Sequence, residues 1–368
     1  MIYKTQAFSA QCNYAWEPDF LGGPHMAEET LFCIDINAGE RMLQGRAGET
    51  LFQALKRQDF YLPSACGGQG KCGMCRLRIL NAALPEPGEA EQKLLSVHQL
   101  ALGWRLACQT RLREDLKLEL PAAYYEAGEY LVRITAKTAL TKDIMLLRCQ
   151  AVAPRLVRLE AGCWMQWVIP VKSQDGEPCL RAFSLASDPK DQRNLEFIIK
   201  KTPCGIGTAW IFDQAQLGDT LTLRGPNGDF HLHNNQREAV FVAGGSGLSA
   251  IRSILLDMCS KGVQRKVRLF FGARHRRDLY MLDELAEIEK KLPQFKFIPA
   301  LSDPLPEEQW LGESGLVTEL LDKYYQDCSG MEAYLCGSPA MLQACVNLLQ
   351  NKGMPPENIF FDKFVSSC

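Results

Sequence analysis

The chain has 368 residues, 46% of them hydrophobic and 23% charged, the balance of ordinary globular domains. At about 100–150 residues per domain this length predicts two or three of them, and a formal net charge of −2 gives no electrostatic case for nucleic acid. No uninterrupted apolar run reaches the ~18 residues of a membrane span, and the opening MIYKTQAFSAQ lacks the apolar core of a signal peptide.

Residues 1–28, with the turn-like LGGPH, read as an irregular N-terminal arm. Between 29 and 122, LFCIDI and RMLQGRAG predict a hairpin, and GETLFQALKRQDF a helix starting at Glu49 or Thr50. Next comes ACGGQGKCGMC, which holds Cys66, Cys72 and Cys75, with Cys108 following in GWRLACQ. A C-x5-C-x2-C run with a distant fourth cysteine suits a 2Fe-2S cluster, because several thiolates must converge on two irons from one tight loop. The glycines at 67, 68, 70 and 73 let that loop bend and point amide N–H groups at the sulfurs. The alternative is structural zinc. Zinc sites usually join two short C-x2-4-C units, whereas here three ligands crowd one loop and the fourth stands alone. Strand CRLRIL, a helix around EAEQKLLSVHQLA and strands at LACQT and LKLEL complete the order of a β-grasp ferredoxin. The other eleven cysteines scatter along the chain, which fits reduced, mostly buried thiols of a cytoplasmic protein better than a secreted disulfide framework.

Between 123 and 235, YLVRITAKTA, IMLLRCQ, WMQWVIPV, NLEFIIKK and TLTLRG are short strands separated by turn signals, which predicts an antiparallel β-barrel. RAFSLAS sets Arg181 beside Phe183 and Ser184: an arginine can grip a phosphate, a ring can lie on a flavin and a hydroxyl can reach the flavin's reactive nitrogen. PCGIGTAW opens a helix with Gly205, Gly207 and Thr208, a place for a pyrophosphate. From 236 to 368, AVFVAGGSG, KVRLFFGAR, KFIPALS and EAYLCGS alternate with helical stretches, the pattern of an α/β domain with a parallel sheet. Gly244, Gly245 and Gly247 stand between strand and helix, where backbone must approach a dinucleotide closely, although the run is not G-x-G-x-x-G. Cys336 and Gly337 repeat that geometry at another strand end.

These motifs, with GPNGDF and the terminal FDKF, stand in the order of one family. The chain resembles the NADH-oxidising F subunit of the sodium-translocating NADH:quinone reductase and, more broadly, ferredoxin-NADP reductase relatives with a fused ferredoxin. The resemblance implies that Cys66, Cys72, Cys75 and Cys108 bind 2Fe-2S, that Arg181, Phe183, Ser184, Gly205, Gly207 and Thr208 bind FAD, and that Gly244, Gly245, Gly247, Cys336 and Gly337 hold NADH. It puts Ser184 near the flavin N5, Cys336 near the nicotinamide and Phe364 near the flavin. Electrons are then expected to run from NADH to FAD to the cluster and on to a one-electron acceptor, a redox protein or complex docking around Gln69, Lys71 and Met74. The same domains serve the reductase components of multicomponent oxygenases, and a redox sensor or electron carrier without turnover is a further alternative. The sequence departs from the family at four points. A polar arm stands where the family has a membrane helix, which leaves only peripheral membrane association; Phe183 replaces a tyrosine, and Ala250 a proline. Val365 to Cys368 also run past Phe364. Arg274, Arg276 and Arg277, near where an adenosine ribose would lie, temper an expected preference for NADH over NADPH.

Overall fold

A computed structural model describes residues 30–64, 66–120, 124, 128–172, 176 and 178–363. The arm and Phe364, to which the sequence assigned a place near the flavin, lie outside the described residues.

The first unit is a five-stranded mixed sheet in the order β2-β1-β5-β3-β4, built from β1 (Leu31–Ile36), β2 (Arg41–Arg46), β3 (Arg76–Ile79), β4 (Trp104–Leu106) and β5 (Leu116–Glu119). Helix α1 (Leu51–Arg57) starts where expected. Thr50 caps it through a capping box with Gln53, and Leu51, Phe52, Ala54 and Leu55 bury against the sheet. The single helix expected around residues 89–101 is instead two, α2 (Glu89–Leu94) and α3 (Val97–Ala101). Leu95 is extended at ψ 143° and Ser96 caps a new helix with Gln99, so a local capping box overrides an apolar pattern that runs on through the break.

In the second unit β6 (Gly128–Ala139), β7 (Ile144–Ala153), β8 (Trp164–Lys172), β9 (Pro178–Ser184), β10 (Asn194–Lys200) and β11 (Thr220–Asn227) form one antiparallel sheet in the order β10-β7-β6-β11-β8-β9. It curls until its edges meet at a bridge between Leu185 and Phe197, around a core centred on Trp167 and Phe197. The short helix α4 (Ile206–Ala209) continues into a wider turn at Trp210–Gln214.

The third unit is a parallel sheet in the order β15-β14-β13-β12-β16-β17, from β12 (Ala239–Gly244), β13 (Val267–Ala273), β14 (Phe295–Leu301), β15 (Glu313–Ser314), β16 (Glu332–Gly337) and β17 (Ile359–Lys363). Helices α5 (Leu248–Lys261), α6 (Leu282–Lys291), α7 (Val317–Tyr324) and α8 (Pro339–Asn351) cover it, and β12 and β16 are buried along nearly their whole length. Strand order reverses between β12 and β16, and the crevice outside their carboxyl ends is where open α/β sheets take ligands.

Helix α5 also fastens the third unit to the second. Ser249 Oγ donates to the Ser184 carbonyl at 2.6 Å and Ser253 Oγ to that of Ser187 at 2.8 Å, while the buried Arg252 pairs with Glu196 at 2.6 Å and Glu284 at 2.8 Å. These bonds leave few polar groups of the interface unsatisfied and fix the cleft between the units.

Candidate active site

That cleft has a volume of about 850 Å³, and all three units wall it. The barrel contributes Trp164, Arg181, Phe183, Ser184, Lys200 and Thr208, and the parallel sheet Gly244, Gly245, Gly337 and Asp362. Met74 comes from the cysteine loop. Of the residues assigned from sequence, the structure thus brings together the arginine, ring and hydroxyl of β9 with the strand-end glycines of β12 and β16.

Four of the assigned residues stand back from the cleft wall, and a fifth, Thr208, lines it while hydrogen-bonded within its own turn. Cys336 is fully buried behind the wall that Gly337 and Ser338 form, and burial, with Asp362 nearby, pushes its thiol up. Thr208 is committed within its own loop, where Oγ1 accepts from the Thr202 N–H at 3.1 Å and donates to the Gly205 carbonyl at 3.2 Å, so it braces the turn. Gly205, Gly207 and Gly247 lie beside the cleft without lining it. Gly247 is needed for packing, since a β-carbon there would sit 2.1 Å from the Cys336 carbonyl oxygen.

Asp362 was not singled out from the sequence. Its Oδ2 accepts a hydrogen bond from Ser184 Oγ at 3.0 Å, across 178 positions of chain. The carboxyl opens to the cleft on one side and is enclosed by protein on the others; burial pushes its pKa above the usual 3.8, with Asp229 adding to the rise and the Ser184 bond opposing it. On unfolding, this group gives up its proton more readily than when folded. The folded state therefore loses stability as pH rises from the ordinary aspartate value through the raised one, and above that window the loss is constant. Asp362→Asn keeps an acceptor for Ser184 without the ionisation, so the variant should melt higher than the parent at about pH 7 and level with it near about pH 3, measured by thermal unfolding.

The cysteine loop has the shape and donors that a two-iron cluster needs. Gly67, Gly68, Gly70 and Gly73 all have positive φ, from 65° to 92°, which brings the loop back on itself. The thiols gather in two pairs, Cys66 with Cys72 and Cys75 with Cys108. The Cys72 thiol, and then the backbone N–H groups of Lys71, Cys72 and Gln69, hold the Cys66 thiol well below the usual thiol range against the opposing effect of burial. Gln109 Nε2 reaches the Cys108 sulfur at 3.6 Å. Among the described residues no group of three or more His, Cys, Asp or Glu is arranged around a single metal ion. Two pairs of thiols in a cage of N–H donors suit an anionic two-iron core, with two ligands to each iron, better than one zinc.

Gln69 and Lys71 are exposed as expected, but Met74 is not part of that surface. Its carbonyl accepts from Tyr124 Oη at 3.0 Å, and the residue lines the cleft. Of the three arginines near the expected ribose position, only Arg274 lines the cleft, with Nε 3.2 Å from Asp303 Oδ2.

Comparison with known proteins agrees with this division of labour. The 2Fe-2S iron-sulfur cluster binding domain matches residues 34–113, the oxidoreductase FAD-binding domain residues 131–232 and the oxidoreductase NAD-binding domain residues 241–347. The chain is 31% identical to the phenol hydroxylase P5 protein of Acinetobacter pittii over 87% of this chain and 90% of that protein. It is 33% identical to the xylene/toluene monooxygenase electron transfer component of Pseudomonas putida, over 86% and 89%. To the F subunit of the Na(+)-translocating NADH-quinone reductase of Pseudomonas aeruginosa it is 29% identical, over 90% of each. Among solved structures, an Amycolatopsis cytochrome P450 reductase superposes with a TM-score of 0.73 at 28% identity, over 92% of this chain and all of that one.

Proposed function

The chain belongs to the ferredoxin-fused flavoprotein reductases of the ferredoxin-NADP reductase type, and from that premise we propose how its own residues divide the work of an NADH:acceptor oxidoreductase. The observation that carries the reading is one cleft walled by the cysteine loop, the barrel and the strand ends of the parallel sheet. Bound there, FAD would take two electrons at once from NADH and release them singly, the conversion that a one-electron cluster requires.

Arg181 and Lys200 supply the positive charge for phosphates, Phe183 and Trp164 the apolar walls, and Ser184 the hydroxyl that orients the flavin's reacting edge. Asp362 accepts from Ser184 Oγ and so fixes which way that hydroxyl points. Gly244 and Gly245 present bare backbone to the dinucleotide. Arg274 lines the cleft with its charge already matched by Asp303, so it is not free to take a 2′-phosphate, which favours NADH. Cys66, Cys72, Cys75 and Cys108 hold the cluster.

The acceptor in this reading is a redox protein that docks on the exposed Gln69 and Lys71. The C-x5-C spacing favours a partner of the quinone-reductase type. The 31% and 33% identities to oxygenase components favour an oxygenase as the second reading. Among the described residues no helix is long and apolar enough to cross a membrane; together with the use of NADH, this leads us to place the protein in the cytoplasm.

Purified protein should carry one FAD and about two iron and two sulfide per chain, and should oxidise NADH with ferricyanide or cytochrome c as acceptor. Zinc in place of iron, or cofactors present without turnover, would overturn the reading. A kcat/KM for NADPH equal to that for NADH would overturn the role given to Asp303.

A further inference from the structure

We propose that the Met74 side chain is the dry contact through which electrons leave the flavin cleft for the cluster. The inference deepens the function proposed above and rests on it.

Four observations carry it. Among the described residues of the first unit, Met74 alone lines the cleft. It is the neighbour of Cys75 and stands two positions from Cys72, so the cleft wall is covalently continuous with two of the four thiols. Gly67, Gln69 and Lys71, the other way round the loop, are exposed. Finally, Met74 is held in place: Tyr124 Oη donates to its carbonyl at 3.0 Å and to that of Arg76 at 3.2 Å.

The two units are also locked together on this side. Gln166 Nε2 donates to the Ser64 carbonyl at 2.6 Å, both residues being buried, and the Arg224 guanidinium lies 3.5 Å over the Tyr61 ring. Gln166 and Trp164 project from the same side of β8, one gripping the cysteine-bearing unit and the other walling the cleft. The gap that Met74 fills is therefore of fixed width.

A thioether is unbranched, polarisable and apolar, so it can fill an irregular gap and keep water out of it. The apolar shell around a metal site controls solvent access and, through it, the site's potential. The electron count is simple. NADH delivers a hydride, two electrons and one proton. The electrons cross singly, each oxidising the flavin by one and reducing the cluster by one; the external acceptor empties the cluster between them, and the proton is released to solvent.

The test uses the full-length protein with both cofactors, mixed rapidly with NADH while flavin absorbance and cluster bleaching are followed separately. In Met74→Ala, cluster reduction should slow by about tenfold or more relative to flavin reduction in the same sample, whatever the variant does to flavin reduction itself; in Met74→Leu that ratio should stay within about threefold of the parent's. A potentiometric titration followed by low-temperature paramagnetic resonance should show the Met74→Ala cluster at higher potential, because admitted water stabilises its more charged reduced form. Slower transfer to a better acceptor cannot come from driving force. If Met74→Ala bleaches as fast as the parent, the inference is wrong. Should that variant prove iron-poor, Met74→Leu and Met74→Gln decide the matter: similar in size, they must differ, with Gln the slower and at higher potential, and equal rates overturn the proposal. If the parent's own cluster takes no electrons from NADH, it is the underlying function that fails.

Discussion

Cys72→Ser should give a yellow protein that binds FAD and reduces ferricyanide from NADH at close to the parent rate, but reduces cytochrome c at least about 100-fold more slowly. Cys72 sits in the middle of the loop, pairs with Cys66 and takes the Met74 backbone N–H, so its loss removes a ligand and unsettles a second. Among the described residues Met74 alone of that loop lines the cleft, and the barrel keeps its own core around Trp167. Iron and sulfide analysis should find the cluster absent, and the low-temperature paramagnetic signal of the reduced protein should vanish. Full cytochrome c activity in a cluster-free variant would mean that electrons leave directly from the flavin.

Gly247→Ala should be nearly as damaging, and on the other half-reaction. The added carbon would lie 2.1 Å from the Cys336 carbonyl oxygen, 2.5 Å from its carbon and 2.9 Å from the Gly337 nitrogen, all backbone atoms that no rotamer change can move aside. Either α5 or the end of β16 must shift, at a cost of about 1–3 kcal/mol, and the floor of the nucleotide crevice opens with it. NADH-driven flavin reduction should fall and the KM for NADH rise, while flavin reduced chemically still passes electrons to the cluster. Gly330→Ala, where a β-carbon meets nothing within 4 Å, should be neutral in the same assays. Equal behaviour of the two variants would show that the crevice tolerates movement of β16.

What the sequence disclosed was what lies close together along it. The cysteine loop, the Thr50 cap of α1 and the glycine turn after β12 are each complete within a dozen residues, and their chemistry is fixed by spacing. Residues whose meaning depends on distant neighbours were opaque. Asp362 matters because Ser184, 178 positions away, reaches it, and no local pattern distinguishes it from any other acidic residue near a chain end. The depth of Cys336 depends on α5 packing against it, and the direction of Met74 on Tyr124 and on the grip of Gln166. The split between α2 and α3 was locally encoded in Ser96 and Gln99, but the apolar spacing of Leu94, Leu95, Val97 and Leu100 runs across the break and masked it.

The cysteine loop has two aspects, Met74 turned into the cleft and Lys71 turned out to solvent. An acceptor docking at Lys71, as proposed above, would not contend with the nucleotide for space, and oxidised nucleotide could stay seated while the acceptor came and went. An enzyme so built would work as a relay with separate entrance and exit: each substrate would be blind to the other's concentration except through how many electrons the protein is holding.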